Sequence, residues 1–410
     1  MDNKSRQYIL PIGPIHPAFK EPVMFEFEIE GEKILDVDVR LGFNHRGIEW
    51  MGLHRNPIQI IYLAERVCGI CSFCHPFAFC RAIENLANIE VPERAEYIRV
   101  IIAEIERIHS HILWAGVLAH EMGFDSLLYL SWKIREKVMD ITELLTGNRI
   151  TKGILMIGGV RRNINEKQIK KIEEMIRYYR KNLKILKDVF LYDPTVLARA
   201  KGVGILSKED ALKLCAVGPT ARASGVSKDV RQDQAYAAYA DLDFKAVTPE
   251  KFTGKITGDV FDRIVVRLFE LEQSLDIIEE CIEKIPNGKI LSEEKIPLLM
   301  QKLKVSGEGL GRHEAPRGEV IHYVKMTGKE EPYTWKIRPP TYNNISSWKP
   351  MLIGEQIADI PIVAISIDPC ISCTDRVAVV KNGKRKILTK EFLHELSIKK
   401  TKKIKRENGN

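Results

Sequence analysis

The stretch ERVCGICSFCHPF sets Cys68 and Cys71 in a C-x-x-C pair with Cys74 and His75 close behind, and IDPCISC repeats that spacing at Cys370 and Cys373. Thiolate is a soft ligand. The turn between paired cysteines lets both sulfurs face one ion, so two pairs supply four donors. Zinc in a closed tetrahedral site, an iron–sulfur cluster, and nickel with iron all use such a set. The pairs of a zinc ribbon lie roughly 15–20 residues apart, whereas these lie near opposite ends of a 410-residue chain. A centre built from both would staple the whole fold. RVCGIC is expected to open a helix, whose N-terminal dipole together with Arg66 would depress the thiol pKa values. Asp368 and Pro369 are expected to hold the second pair rigidly. Cys281 falls within a helical apolar pattern, and Cys80 and Cys215 have no partner spacing, so all three read as small core residues.

The elements that must bring these pairs together are legible as three segments. In residues 1–70, Phe25, Phe27 and Ile29 alternate with glutamates, and Leu35, Val37, Val39 and Leu41 resume the alternation after Gly31. That pattern is a β-hairpin with one buried face. It leads through the polar loop GFNHRGIEW to the first pair. From 71 to 290 the apolar period lengthens to about 3.6. Ile98–Ile112, Leu127–Leu145 closed by Gly147, Ile169–Leu186 behind an Asn165 cap, and Ile264–Ile278 mark long helices, with Pro92 suited to a first turn. Helices of this number imply a bundle. From 291 to 376, VIHYVKM and YTWKI return to strand chemistry and lead to the second pair. The rest, 377–410, holds an Asn-Gly hairpin signal and a basic end. The expected fold is therefore α+β and multi-lobed: a central long-helix bundle between α+β N- and C-terminal lobes.

Composition narrows the partners. Hydrophobic content of 45% and charged content of 29% are those of an ordinary soluble chain. No apolar run reaches membrane-spanning length, and the first residues lack a basic-then-apolar leader. A cytoplasmic protein is expected, any membrane contact coming through partner subunits, and disulfide staples are not. The charge of +8 gathers in KKTKKIKRENGN, which reads as a solvated tail or a docking segment. No nucleic-acid motif is present.

These motifs carry a family resemblance. RVCGICSFCH resembles the first metal-binding motif of NiFe-hydrogenase large subunits, R-x-C-G-x-C-x-x-x-H, at Arg66, Cys68, Gly69, Cys71 and His75, and DPCISC resembles the second, D-P-C-x-x-C. The likeness extends to HRGIE (45–49), GPTARASG (218–225) and EAPRGE (314–319). LPIGPIHPAF and GPTARASGVSKDVR are shared with the quinone-side subunit of respiratory complex I. That mixture resembles the large subunit of membrane-bound, energy-converting NiFe-hydrogenases.

The resemblance implies a nickel ion held by Cys68, Cys71, Cys370 and Cys373, with Cys71 and Cys373 bridging to an iron that carries cyanide and carbonyl ligands inserted by maturation proteins. Heterolytic cleavage of dihydrogen also needs a base for the proton. By family analogy that base is Cys370, with Glu49 relaying the proton outward. Arg317 would lie over the open metal position, oriented by Asp368. His75 is expected to support the site without ligating, and Cys74 to pack. His16, Glu21 and His45 are candidates to extend the proton path, and His109 and His111 to face helical neighbours. Electrons would pass through a small iron–sulfur hydrogenase subunit to or from ferredoxin, coupled to membrane-embedded ion-translocating subunits, with the complex peripheral on the inner face of the cell membrane. Two features depart from the soluble members. Arg376 stands where many carry a histidine, which counts against a magnesium or second iron site there. The segment after it is either a removable precursor extension or a retained element. The alternatives are a complex I-type or sulfur-reducing relative, and a zinc-stabilised scaffold.

Overall fold

The computed structural model describes residues 7–374, 379–381, 384–386 and 390–407. The hairpin expected near the start forms as β2 (Met24–Glu30) and β3 (Lys33–Arg40). It gains an edge strand, β1 (Gln7–Ile12), giving the antiparallel order β1-β2-β3. β1 escaped notice because QYILPI does not alternate: as an edge it buries little on either face. Phe25 and Phe27 on β2 are fully buried and stack at 5.5 Å.

This sheet is tied by backbone to a segment 320 residues away in sequence. Ile34 N–H donates to the Glu355 carbonyl at 2.9 Å, Gly354 N–H to that of Ile34 at 2.8 Å, and Ile357 N–H to that of Glu32 at 3.0 Å. Those bonds bring the N-terminal sheet beside the chain that leads into the second cysteine pair.

The centre is helical. The loop expected over GFNHRGIEW contains a short helix, α1 (Ile48–Gly52), and α2 (Pro57–Ala64) follows behind an Asn56–Gln59 capping box. Next come α3 (Cys74–Ala87), α4 (Glu93–Glu121) and α5 (Asp125–Thr146), the last closed by Gly147 as the pattern predicts. Pro92 precedes α4 as its cap residue and does not lie in its first turn. α6 (Glu166–Tyr192) starts from the expected Asn165 cap, completed by Gln168, and α7 (Val260–Lys284) from Asp259. α4 runs through the middle, packed by α5 and α7, and is buried on nearly every side. Its charged residues are neutralised in place: Arg99 pairs with Glu84 at 2.6 Å, and Glu104 with Arg107 at 3.0 Å and Arg231 at 3.1 Å. Buried charges persist only when paired and hydrogen-bonded in this way.

β4 (Leu155–Met156) and β5 (Gly159–Val160) form a two-rung ladder. The larger second sheet has β7 (Gly318–Thr327) between β6 (Ser306–Ala315) and β8 (Thr334–Arg338), all antiparallel. α3 lies on it at backbone contact. A Cβ at Gly309 would sit 2.1 Å from the Ala82 carbonyl oxygen, and one at Gly311 1.9 Å from that of Ala78, so only glycine permits the approach. α8 (Ile360–Ser366) then delivers the second cysteine pair. The fold is thus a mixed α/β one dominated by helices, as the sequence pattern predicts.

The described residues through Thr374 form one compact unit, and those from Val379 onward a second. In the latter, β9 (Val379–Lys381) pairs antiparallel with β10 (Lys384–Lys386), followed by α9 (Lys390–Glu407). The Asn-Gly turn and Arg376 lie outside the described residues. Among the described residues no helix is long and apolar enough to cross a membrane.

Candidate metal centre

The two cysteine pairs meet. Cys68 Sγ lies 3.4 Å from Cys370 Sγ, and Cys373 Sγ 3.1 Å from Cys370 Sγ. The sulfurs of Cys68, Cys370 and Cys373 all lie within 4.8 Å of one another. Cys71 lines the same small internal cavity, with Cys68, Cys373, His75 and Arg317. For ion–sulfur bonds of about 2.3 Å, thiolates at right angles lie about 3.3 Å apart and tetrahedral ones about 3.8 Å. The observed spacings are those of ligands on one ion. All four cysteines are free and buried. The donor set therefore fits a soft or borderline metal; hard ions that need oxygen ligands are excluded by its chemistry.

Three groups hold the loops that carry these sulfurs. Arg46, inside HRGIE, donates to the carbonyls of Arg66 and Val67 at 2.7 and 2.8 Å and to that of Ser372 at 2.8 Å, clipping the two cysteine loops together. Glu106 on α4 accepts from the N–H groups of Phe73 and Cys74 at 2.8 and 3.1 Å, capping α3, and is itself paired with Lys152 at 2.8 Å. Glu21 accepts from the N–H groups of Ile371 and Ser372 at 2.5 and 3.0 Å, and from the Ser372 hydroxyl.

The helix expected over RVCGIC begins only at Cys74, so Cys68 and Cys71 precede it in a turn. Arg66 turns away, binding Glu65 at 2.6 Å and the Tyr62 carbonyl at 3.0 Å. What stabilises Cys68 is local: its Sγ accepts from Ile70 N–H at 3.4 Å and Cys71 N–H at 3.1 Å. Its thiol sits well below the usual range because Cys370, Cys373 and Cys71 donate to it, which outweighs burial. Cys71 is held well above that range by its hydrogen bonds to Cys68 and Cys74 and by burial, and Cys373 by its bonds to Cys370 and Cys68 and by burial. In a site this buried, a cation beside the sulfurs favours ionisation of the further thiols.

Arg317 supplies part of the local positive charge. It is the second residue of the two-residue loop joining β6 to β7, where Ala315 pairs with Gly318. This tip is seated by two glycines: a Cβ at Gly218 would lie 2.4 Å from Gly318 Cα, and one at Gly318 2.7 Å from Gly218 N. GPTARASG and EAPRGE therefore pack glycine to glycine. From that tip Nη1 reaches Cys71 Sγ at 2.7 Å and Ser110 Oγ at 3.3 Å. Nε and Nη2 bind the Asp368 carbonyl and carboxylate, each at 2.7 Å. Asp368 itself sits at φ 56°. Burial raises its carboxyl pKa, opposed by Arg317 and Arg267.

The Glu49 carboxylate accepts from Ile337 N–H at 2.8 Å and Lys336 Nζ at 3.0 Å, both on β8. Glu21 is a second carboxylate beside the second cysteine pair, after Asp368, and its pKa is raised by burial and by the charge on Cys68. It lines a largely apolar cavity of about 480 Å³ that reaches Cys370, Asp368 and Arg317 between Phe19, Trp114 and Trp348. His16 and His45 are exposed. His111 faces Glu270 at 2.8 Å and His109 faces Arg135, both neighbours on other helices. Cys74 donates to Glu106 at 2.7 Å, and burial pushes its thiol up to about 12. Cys80 and Cys281 are core residues, but Cys215 is exposed: it stands at φ 54° in a turn, where its side chain projects from the core. Arg46 and Glu106 escaped the sequence reading. Arg46 was visible as part of HRGIE, whereas Glu106 is one polar residue on a helix face and carries no local signal.

Residues 46–120 match the nickel-dependent hydrogenase family, and residues 121–376 match the 49 kDa subunit of respiratory-chain NADH dehydrogenase. The chain is 51% identical to the membrane-bound hydrogenase subunit alpha of Pyrococcus furiosus, across 96% of this chain and 93% of that protein. It belongs to the family of hydrogenase large subunits and complex I 49 kDa subunits. Within that family it is also 38% identical to the carbon monoxide-induced hydrogenase of Rhodospirillum rubrum, over 90% of this chain and 99% of that one. A chain from the membrane-bound sulfane sulfur reductase, an archaeal respiratory membrane complex, shares the fold with a TM-score of 0.85 at 30% identity, covering 92% of this chain and 100% of that one. The family's members are oxidoreductase subunits, and these relatives include both hydrogenases and a sulfur-reducing complex.

Proposed function

We propose that this chain is the hydrogen-activating subunit of a membrane-bound NiFe-hydrogenase. In this reading it exchanges electrons through the iron–sulfur clusters of a partner subunit with ferredoxin, and membrane subunits couple the reaction to ion movement. The observation that carries the reading is the convergence of the free, buried thiols of Cys68, Cys370 and Cys373 from opposite ends of the chain, with Cys71 lining the same cavity and a buried arginine on its sulfur. Cys68, Cys71, Cys370 and Cys373 would hold nickel together with an iron bearing cyanide and carbonyl. When bound, that pair supplies the electron-accepting centre at which dihydrogen is polarised.

The chain's own residues do the rest. Arg317, fixed by Asp368, directs a permanent positive charge at the sulfur side of the site. Cys370 borders the apolar cavity and is the thiolate placed to take the proton. Glu21 lines the same cavity, and its raised pKa suits a group that accepts a proton and releases it. Glu49, assigned the relay from its motif, would act as a second carboxylate, and separate substitutions of the two discriminate between them. In the anaerobically purified complex, nickel and non-cluster iron are expected at one each per chain, with infrared bands from cyanide and carbonyl. Zinc alone, or an active complex without nickel, would exclude the proposal.

A sulfur-reducing role is the second reading, favoured by one observation: a cavity of about 480 Å³ beside Cys370 far exceeds what dihydrogen requires. Polysulfide-dependent oxidation of ferredoxin by a complex that evolves no hydrogen would select it.

A further inference from the structure

Behind the second cysteine pair runs a hydrogen-bond chain that none of the steps above uses. Trp335 Nε1 lies 3.1 Å from His322 Nδ1, His322 Nε2 lies 3.1 Å from His75 Nδ1, and His75 Nε2 lies 3.6 Å from Cys373 Sγ. All four side chains are buried. The direction of this chain follows from its first member. An indole N–H can only donate, so His322 Nδ1 accepts and the neutral ring carries its proton on Nε2. That proton faces His75 Nδ1, which must therefore accept. The proton of His75 is then on Nε2, facing the Cys373 sulfur. Any reversal would set one N–H against another within a 3.1 Å contact.

We propose that Trp335 and His322 are positioning residues that lock His75 into its Nε2–H tautomer, so that a neutral imidazole donates to the Cys373 sulfur. The proposal deepens the hydrogenase reading and rests on it for its consequence: a donor on a metal-bound thiolate draws charge from the sulfur and so tunes the metal. The supports of the indole are built for position. Phe79 meets it edge-on at 5.6 Å. Gly52 on α1 lies directly against it, since a Cβ there would be 2.2 Å from Trp335 Cε3. Glu49, on the same short helix, binds Ile337 N–H and Lys336 beside Trp335 and so ties α1 to β8. Packing alone would be served by phenylalanine. An alternating donor–acceptor chain that ends on a cysteine of the DPCISC pair is not.

The test reads tautomers directly. In the full chain labelled with ¹⁵N-histidine, NMR is expected to show His75 and His322 both protonated on Nε2 and unprotonated on Nδ1. Trp335→Phe, which keeps the ring but removes the donor, is expected to lose the single tautomer at both histidines, as is His322→Met at His75. His322→Gln, whose amide still donates, is expected to retain the His75 tautomer even if the tryptophan variant folds poorly. In the metal-loaded complex, Trp335→Phe and His322→Met are expected to move the carbonyl infrared band to lower wavenumber, and His322→Gln to restore it. A His75 proton on Nδ1 in the parent chain overturns the proposal, as do tautomers indifferent to all three substitutions. A parent complex lacking diatomic bands removes the hydrogenase reading instead, and leaves the tautomer assignment to be judged by NMR.

Discussion

Replacing Arg317 by methionine and Asp368 by leucine together is expected to cost less than the two single replacements summed. Arg317 is 4% exposed and Asp368 6%, and the pair shares two contacts of 2.7 Å. Removing the guanidinium takes the Arg317 bond from Oδ1 of a buried carboxylate whose Oδ2 already has no hydrogen-bond partner among the described residues. Breaking a buried pair from one side costs about 3–5 kcal/mol, much of it the penalty of the charge left behind. An unfolding entropy of about 2.1 cal/mol/K per residue makes each kcal/mol worth roughly 1 °C in a chain of this length. Arg317→Met should therefore lower Tm by about 3–6 °C. In Arg317→Met/Asp368→Leu no charge is stranded, so the loss should fall short of the summed single losses by about 2 kcal/mol, or roughly 2 °C. The assay is thermal unfolding of the full chain by near-ultraviolet circular dichroism, at several scan rates so that irreversible steps are recognised. A double variant whose loss equals the sum of the singles would show that the two side chains do not act as a pair. The aim of Arg317 at Cys71 would then have to come from the hairpin tip alone.

Other consequences are sharper in readout. Cys370→Ser should lower bound nickel by at least about tenfold while leaving the melting of the helical core unchanged; full nickel content in that variant would contradict the ligand role. Glu21→Gln should slow proton–deuterium exchange by about 10²-fold or more, with a smaller effect from Glu49→Gln. The reverse order would return the relay to Glu49, and an unaffected rate in both would reject a carboxylate relay. Glu104 is fully buried, and although burial alone would raise its pKa, Arg107 and Arg231 hold it at about 2. A carboxyl depressed on folding contributes stability that is present above about pH 4.5 and lost as pH falls toward 2, a span of roughly 3 kcal/mol. Glu104→Gln should therefore lower stability at neutral pH and flatten the acid limb, as urea titrations at successive pH values would show. An unchanged acid limb would refute the assignment.

What could be read in advance divides along a physical line. Alternation and 3.6-residue periodicity are local consequences of burial, so the β2–β3 hairpin, α4, α5, α6 and α7 follow from spacing, as do the Asn165 cap and the Gly147 stop. β1 failed the same test because an edge strand buries too little to leave a pattern. The cysteine pairs were visible because ligation demands fixed residue types at fixed intervals. The groups that aim those cysteines obey no such demand. Arg46 spans from residue 46 to carbonyls at 66, 67 and 372, and Glu106 caps a helix 32 residues upstream of itself. Each is a single charged residue that holds the cysteine loops through backbone atoms, and backbone atoms are the same at every position in a sequence. The expectation that a helix dipole and Arg66 would activate the thiols erred for that reason. It assigned to residues adjacent in sequence a task that the fold gives to N–H groups in a turn and to Arg317, about 250 residues away. Long-range convergence also explains why glycine is required at both 218 and 318: each lacks a Cβ because the other's backbone occupies the space. The two motifs are then one contact, and enlarging either glycine should displace Arg317 without touching a metal ligand.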